Sequence, residues 1–172
     1  MSRTTHIPQP VILRDILAEV VADVATRYGS PVYYYFDVPE KIEARLLLKN
    51  QVNGIKYPAI LVYCDIPEVI GVDYYATVTF PKVVIATSNS DINSFAEARY
   101  DKTFRPVLYP IYEWFKKCCA LHPAIVLTSG DNLPATKWDR LYWGSQPAGK
   151  ALQDYLDAIE LQNLKLTFQQ NC

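Results

Sequence analysis

Lys82-Val83-Val84-Ile85-Ala86, then Thr87-Ser88-Asn89-Ser90-Asp91, then Phe104-Arg105-Pro106-Val107-Leu108-Tyr109-Pro110-Ile111-Tyr112 are three pieces of one stretch, Lys82 to Lys117, that joins a strand to a helix. The first is an apolar run of strand length, the second a polar turn, and the third the centre of a helix. From Phe104 onward the apolar residues 104, 107, 108, 111, 112 and 115 recur at spacings of three and four, which places them on one helical face. A strand that turns into an amphipathic helix implies a sheet with a helix laid on it. That face packs, and it contains no catalytic arrangement.

Pro10 to Tyr28 reads as the first helix, with Val11, Ile12, Ile16, Leu17, Val20, Val21 and Val24 on a broad apolar face and Gly29 as its stop. Val32 to Phe36 is β-branched and aromatic and reads as a strand. Within 38–57, Lys41 to Leu48 fits a short helix or a strand, and Asn53-Gly54 marks a tight turn. Pro58 to Cys64 reads as a strand central in the sheet. Asp73 to Ala86 alternates as one bent strand or two, with Pro81 confining part of it to an edge or a bulge. Asp91 to Leu121 is helical, bent or divided near Arg105-Pro106. Ala124 to Ser129 is a short strand, and 138–149 an irregular or short-strand region. Ile159, Leu161, Leu164, Leu166 and Phe168 recur with a period near two, interrupted at Gln162-Asn163, which predicts a final strand with a bulge.

The length of 172 residues suits one domain, with an ordered core over 8–168 and short flexible termini. Lys+Arg 17 balance Asp+Glu 18, so the chain as a whole has no nucleic-acid footprint, although a local basic patch remains open. No apolar run approaches the roughly 20 residues of a membrane span, and no charged-then-apolar leader follows Met1, so a soluble chain without a membrane partner is expected. None of Cys64, Cys118, Cys119 and Cys172 forms a C-x-x-C pair. Reduced thiols used as core filler are the expectation. Tyr 13 is the compositional outlier. Tyrosine suits both half-buried strand faces and subunit interfaces, and the two readings stand side by side.

The glycines at 29, 54, 71, 130, 144 and 149 are too scattered for a phosphate loop. Gly144-Ser145-Gln146-Pro147 lacks the second glycine of a nucleophile elbow. His6 and His122 have no partner suggested by spacing, and Asp37/Glu40/Glu43 and Asp154/Asp157/Glu160 read as solvated faces. No catalytic, cofactor-binding or metal-binding residue is therefore expected. Arg99, Lys102 and Arg105, three apart, form a candidate basic stripe for an acidic partner or phosphates, against the plainer reading of solvated charges paired with Glu97 and Asp101.

The order of elements, the passage Glu97-Ala98-Arg99-Tyr100-Asp101-Lys102-Thr103-Phe104-Arg105-Pro106-Val107-Leu108-Tyr109-Pro110-Ile111-Tyr112 and the close Leu156-Asp157-Ala158-Ile159-Glu160-Leu161-Gln162-Asn163-Leu164-Lys165-Leu166 together resemble phage neck and tail-completion proteins. The likeness is greatest to tail terminators. It covers most of the chain, through structural motifs of modest specificity, and departs in an insertion-like loop over 128–149 and in the long tyrosine-rich early strand. The resemblance implies an α+β fold, an antiparallel or mixed sheet packed against two main helices. It also implies a non-enzymatic virion subunit, assembled in the host cytoplasm into a homo-oligomeric ring that joins the capsid connector to the tail, with DNA passing through its lumen without sequence-specific binding. Neighbouring connector and tail proteins would be its other partners. A closed ring needs two different complementary patches on one subunit, and Tyr33, Tyr35, Tyr74, Tyr75 and Trp143 are the candidates beside Arg99, Lys102 and Arg105. Loops 67–73 and 130–138 are expected to dock neighbouring rings, and alanine at Arg99 or Arg105 to impair assembly without unfolding. A non-viral adaptor module and a metal-dependent enzyme are the alternatives.

Overall fold

Residues 12–47, 56–64, 68–70, 75–89, 95–127, 133–143 and 156–169 are described by a computed structural model. The chain runs α1 (Leu13–Tyr28), β1 (Tyr33–Asp37), α2 (Pro39–Leu47), β2 (Ala59–Tyr63), β3 (Glu68–Ile70) and β4 (Tyr75–Ser88). A long helix follows, made of α3 (Ala96–Arg99), a π-helical stretch (Tyr100–Leu108) and α4 (Tyr109–Leu121), and then β5 (Ile125–Val126), β6 (Thr136–Trp143) and β7 (Leu156–Gln169). The strands form one mixed sheet in the order β1-β2-β4-β7, with β3 also on β4 and both β5 and β6 on β7. β1 runs parallel to β2, and every other pairing is antiparallel. This is the α+β class expected from the sequence.

Both main helices lie on one face of the sheet. Leu17, Val20, Val21 and Val24 of α1, and Phe104, Leu108, Ile111 and Phe115 of the long helix, pack with Ile60, Val62, Phe80, Val83, Ile85, Ile159 and Leu161. Gly29 ends α1 in the left-handed conformation (φ 81°), its N–H bonded to the Ala25 carbonyl. On the opposite face, Ile42 and Leu46 of α2 cover Tyr35, Leu61, Val84 and Ala158. The segment 41–48, open to helix or strand from sequence, is thus helical as far as Leu47. Pro39 opens it, and apolar residues four apart meet the sheet. The Asn53-Gly54 turn lies outside the described residues.

β4 is a single strand, and its expected irregularity at Pro81 coincides with the one expected at Gln162-Asn163. Phe80 pairs with Leu164 and Lys82 with Gln162, so Pro81 stands opposite Asn163 and the register continues unbroken. The faces nevertheless exchange. Val78 and Phe80 share the helix-side core with Val83 and Ile85, and Leu164, Leu166 and Phe168 share it with Ile159 and Leu161, although each set changes parity in mid-strand. One extra residue on each strand, at the same level, restores the pairing while flipping the side chains. Asn163 takes a positive φ of 54° there, a conformation asparagine tolerates better than most residues. Pro81, which has no N–H to donate, lies between the stretches of β4 that pair with β2 and with β3.

The division expected near Arg105-Pro106 takes the form of a wide turn within a continuous helix. The Tyr109 N–H bonds the Phe104 carbonyl, five residues back, before the α spacing resumes. Pro106 and Pro110 both lack an amide hydrogen, and the Tyr28 hydroxyl donates a long 3.5 Å bond to the Pro106 carbonyl, the acceptor that an amide at 110 would serve in an α-helix.

Candidate functional site

The most concentrated polar chemistry of the described residues lies beneath the long helix. Arg99 and Asp157 are both wholly buried. The Arg99 guanidinium donates to Asp157 Oδ1 from Nε at 2.8 Å and from Nη2 at 2.6 Å. Thr103 Oγ1 donates to Asp157 Oδ2 at 2.8 Å, and Asn89 Nδ2 donates to the same oxygen at 3.2 Å. Thr103 Oγ1 also lies 2.6 Å from the Arg99 carbonyl. The Tyr142 N–H reaches Asp157 Oδ1 at 3.4 Å, and the Tyr142 ring carries the Arg99 guanidinium 3.8 Å from its centroid. Asp157 sits on the helix-facing side of β7, so this node ties the long helix, the end of β4, β6 and β7 together.

Tyr142 can reach it because β6 is irregular there. The pairing with β7 shifts by one between Arg140 and Trp143, and Tyr142 takes a φ of 54°. A tyrosine in that region is strained by roughly 1–3 kcal/mol. The bulge turns its amide to the carboxylate and its ring under the guanidinium, two favourable contacts that offset the strain.

A second carboxylate lies across the sheet. Glu160 accepts from Trp143 Nε1 at 3.3 Å, Arg140 Nη2 at 3.4 Å and Gln162 Nε2. Burial pushes the Glu160 carboxyl up, but Gln162, Lys82, Arg140 and Trp143 together outweigh it and hold the group below its ordinary value. A lowered folded-state value stabilises the fold above the unfolded carboxylate value, and this contribution is lost as pH falls through the folded one. Denaturation of Glu160→Gln followed from neutral to acid pH is expected to show a flatter acid limb than the wild type. An unchanged slope would mean the cluster contributes nothing.

These two carboxylates correct the sequence reading. Asp157 and Glu160 are not on a solvated face, because they lie on a strand buried on both sides at that level. Arg99 likewise leaves the proposed stripe: it points into the core, whereas Lys102 and Arg105 are exposed. Arg105 pairs with Asp101 at 2.5 Å. The spacing of three fails because the helix is widened over 100–108, and the expectation that alanine at Arg99 spares the fold falls with it. Of the tyrosine candidates, Tyr35 is buried, Tyr33 is half-buried beneath α2, and Tyr75 is exposed. Trp143 is half-buried and bonded to Glu160, and Tyr74 lies outside the described residues. The expected insertion-like loop over 128–149 contains β6, a regular strand over most of its length. Of the docking loops, 68–70 form β3 and 136–138 begin β6, while 67, 71–73 and 130–132 lie outside the described residues.

What the sequence reading missed is an aromatic and cationic surface shared by α4 and β6. The Lys137 ammonium lies 5.0 Å from the Tyr109 ring centroid and 5.5 Å from that of Tyr112, and Lys116 lies 5.0 Å from Tyr112. Asp139 accepts from Tyr109 Oη and Lys137 Nζ, each at 2.6 Å. Burial and this bond push the Tyr109 phenol well above its ordinary value. On the other face of β6, away from α4, the Arg140 guanidinium lies 4.9 Å from the Trp138 ring centroid. Alternating Lys137, Asp139 and Trp138, Arg140 on one strand was the available signal.

Cys118 and Cys119 are buried free thiols, and Cys64 is a half-buried one. Burial pushes the Cys119 thiol far up, so core filler describes it. His122 Nε2 lies 3.2 Å from Glu19 while its Nδ1 accepts the Ala124 N–H at 3.2 Å, a pairing that spacing could not show. Among the described residues no group of three His, Cys, Asp or Glu side chains is placed to hold a metal ion, and no helix is long and apolar enough to cross a membrane. No protein-family model matches the chain, and no curated protein matches it.

Proposed function

We propose that this chain is a structural virion protein, a ring-forming subunit of the tail-terminator or head-tail connector type, set between capsid connector and tail around the DNA channel. The observation that carries the reading is the Arg99–Asp157 node. It commits the most chemically capable side chains of the described residues to fastening the helix layer to the sheet, which suits a protein that works as a rigid body. The unlike surfaces of the subunit support it: an aromatic, cation-bearing β6 at one end of the sheet, and the exposed polar side of α1 at the other. Closed rings form from such heterologous contacts. The resemblance of the long-helix passage and the closing strand to tail-completion proteins supplies the virion setting.

Mass measurement and electron microscopy of the purified protein over a wide concentration range test this. Rings of uniform order, present throughout or appearing as concentration rises, are the expected outcome. A monomer or dimer at every concentration would favour the adaptor reading instead.

A further inference from the structure

Two exposed surfaces of opposite charge lie at opposite ends of the sheet. On α1, Asp15, Glu19 and Asp23 recur at every fourth residue along the side away from the buried Leu17, Val20, Val21 and Val24, and Ile12 heads that stripe with 57% of its surface exposed. Asp15 meets Arg14 at 2.9 Å and Glu19 lies 3.2 Å from His122 Nε2, yet both carboxylates keep solvent exposure, about half of the Asp15 side chain and most of that of Glu19. α1 lies at the β1 end, where the Tyr34 hydroxyl donates to the Arg14 carbonyl at 3.1 Å. The other surface is β6, beyond β7 and at the far end. Trp138 is 46% exposed there, and the side chain of Arg140, stacked on it, is 41% exposed. Tryptophan and arginine are the residue types that most often anchor interfaces.

We propose that the outer stripe of α1 on one copy docks against the β6 edge of a second copy, carboxylates facing Arg140, and Ile12 covering Trp138. The inference rests on the ring reading above and names the surfaces that close the ring. Charge sign decides the geometry. Acidic stripe against acidic stripe repels, as does basic edge against basic edge, so the contact runs head to tail instead of forming a two-fold dimer.

Sedimentation of the full chain compares the wild type with Glu19→Lys/Asp23→Lys, with Arg140→Glu, with all three changes together, and with Trp138→Ala. Each charge reversal alone is expected to weaken self-association on the order of tenfold, and the combination to recover most of that loss. Trp138→Ala removes no charge and leaves the Arg140–Glu160 pair in place, so it reports on the same surface if Arg140→Glu fails to fold. Its expected effect is also on the order of tenfold. Wild-type association that none of these changes alters would overturn the docking surface and leave the ring reading standing. A wild-type chain that stays monomeric at every concentration would overturn both.

Discussion

Asp157→Ala is expected to destabilise the fold by about 3–5 kcal/mol, because it leaves the Arg99 guanidinium wholly buried without its counter-charge. The same change removes one acceptor each from Thr103, Asn89 and the Tyr142 amide, and the loss of these buried bonds adds to the cost. A fall of roughly 6–20 °C in Tm follows for a chain of this length. Urea denaturation gives the free energy directly, with the midpoint moving and the slope unchanged. Arg99→Lys is expected to lose much of the same stability, since an ammonium lacks the planar fork that meets Asp157 Oδ1 from two nitrogens while sitting 3.8 Å from the Tyr142 ring centroid. The double change Arg99→Met/Asp157→Leu separates desolvation from attraction. It removes both charges and is expected to recover a large part of the loss, as buried ion pairs replaced by apolar groups commonly do. A single-variant loss below about 1 kcal/mol would show that water reaches the node and that it does not fasten the layers.

This node also marks where the sequence stopped being legible. Periodicity located the helix face at Phe104, Leu108, Ile111 and Phe115, and the double flip at Pro81 and Asn163 was visible as a break in alternation, because both are local patterns governed by which side of an element meets the core. Arg99 and Asp157 are 58 residues apart, and neither carries a local sign of its partner. Each looked like a member of a charged run. Only the tertiary fold brings Arg99 over β7, and only the widened turn at 100–108 separates it from Lys102 and Arg105. The β6 surface was hidden for a different reason. Glycine and proline on either side left 138–149 as an irregular or short-strand region within an insertion-like loop, whereas pairing along the long β7 strand makes Thr136–Trp143 a strand.

Phe104→Ala carries the other large expected effect, a loss of about 3–5 kcal/mol. The ring is fully buried, stacked 4.6 Å from Tyr100 and tilted 5.8 Å from Tyr109, centroid to centroid. These two aromatics, five residues apart or fewer from it, hold it within the π-helical stretch, where the backbone hydrogen bonding is less regular than in the α-helical parts and packing must supply more of the order. Truncation opens a cavity there that neighbours anchored by the sheet fill only in part. Phe104→Leu keeps most of the volume and is expected to lose less than half as much. Hydrogen exchange distinguishes a local from a global effect: amides of Tyr100–Leu108 are expected to lose protection first, ahead of α4 beyond Ile111, whose apolar face on the sheet is untouched. Uniform loss of protection along the whole helix would mean instead that the wide turn and α4 unfold as one unit, and that Phe104 secures the entire helix layer to the sheet.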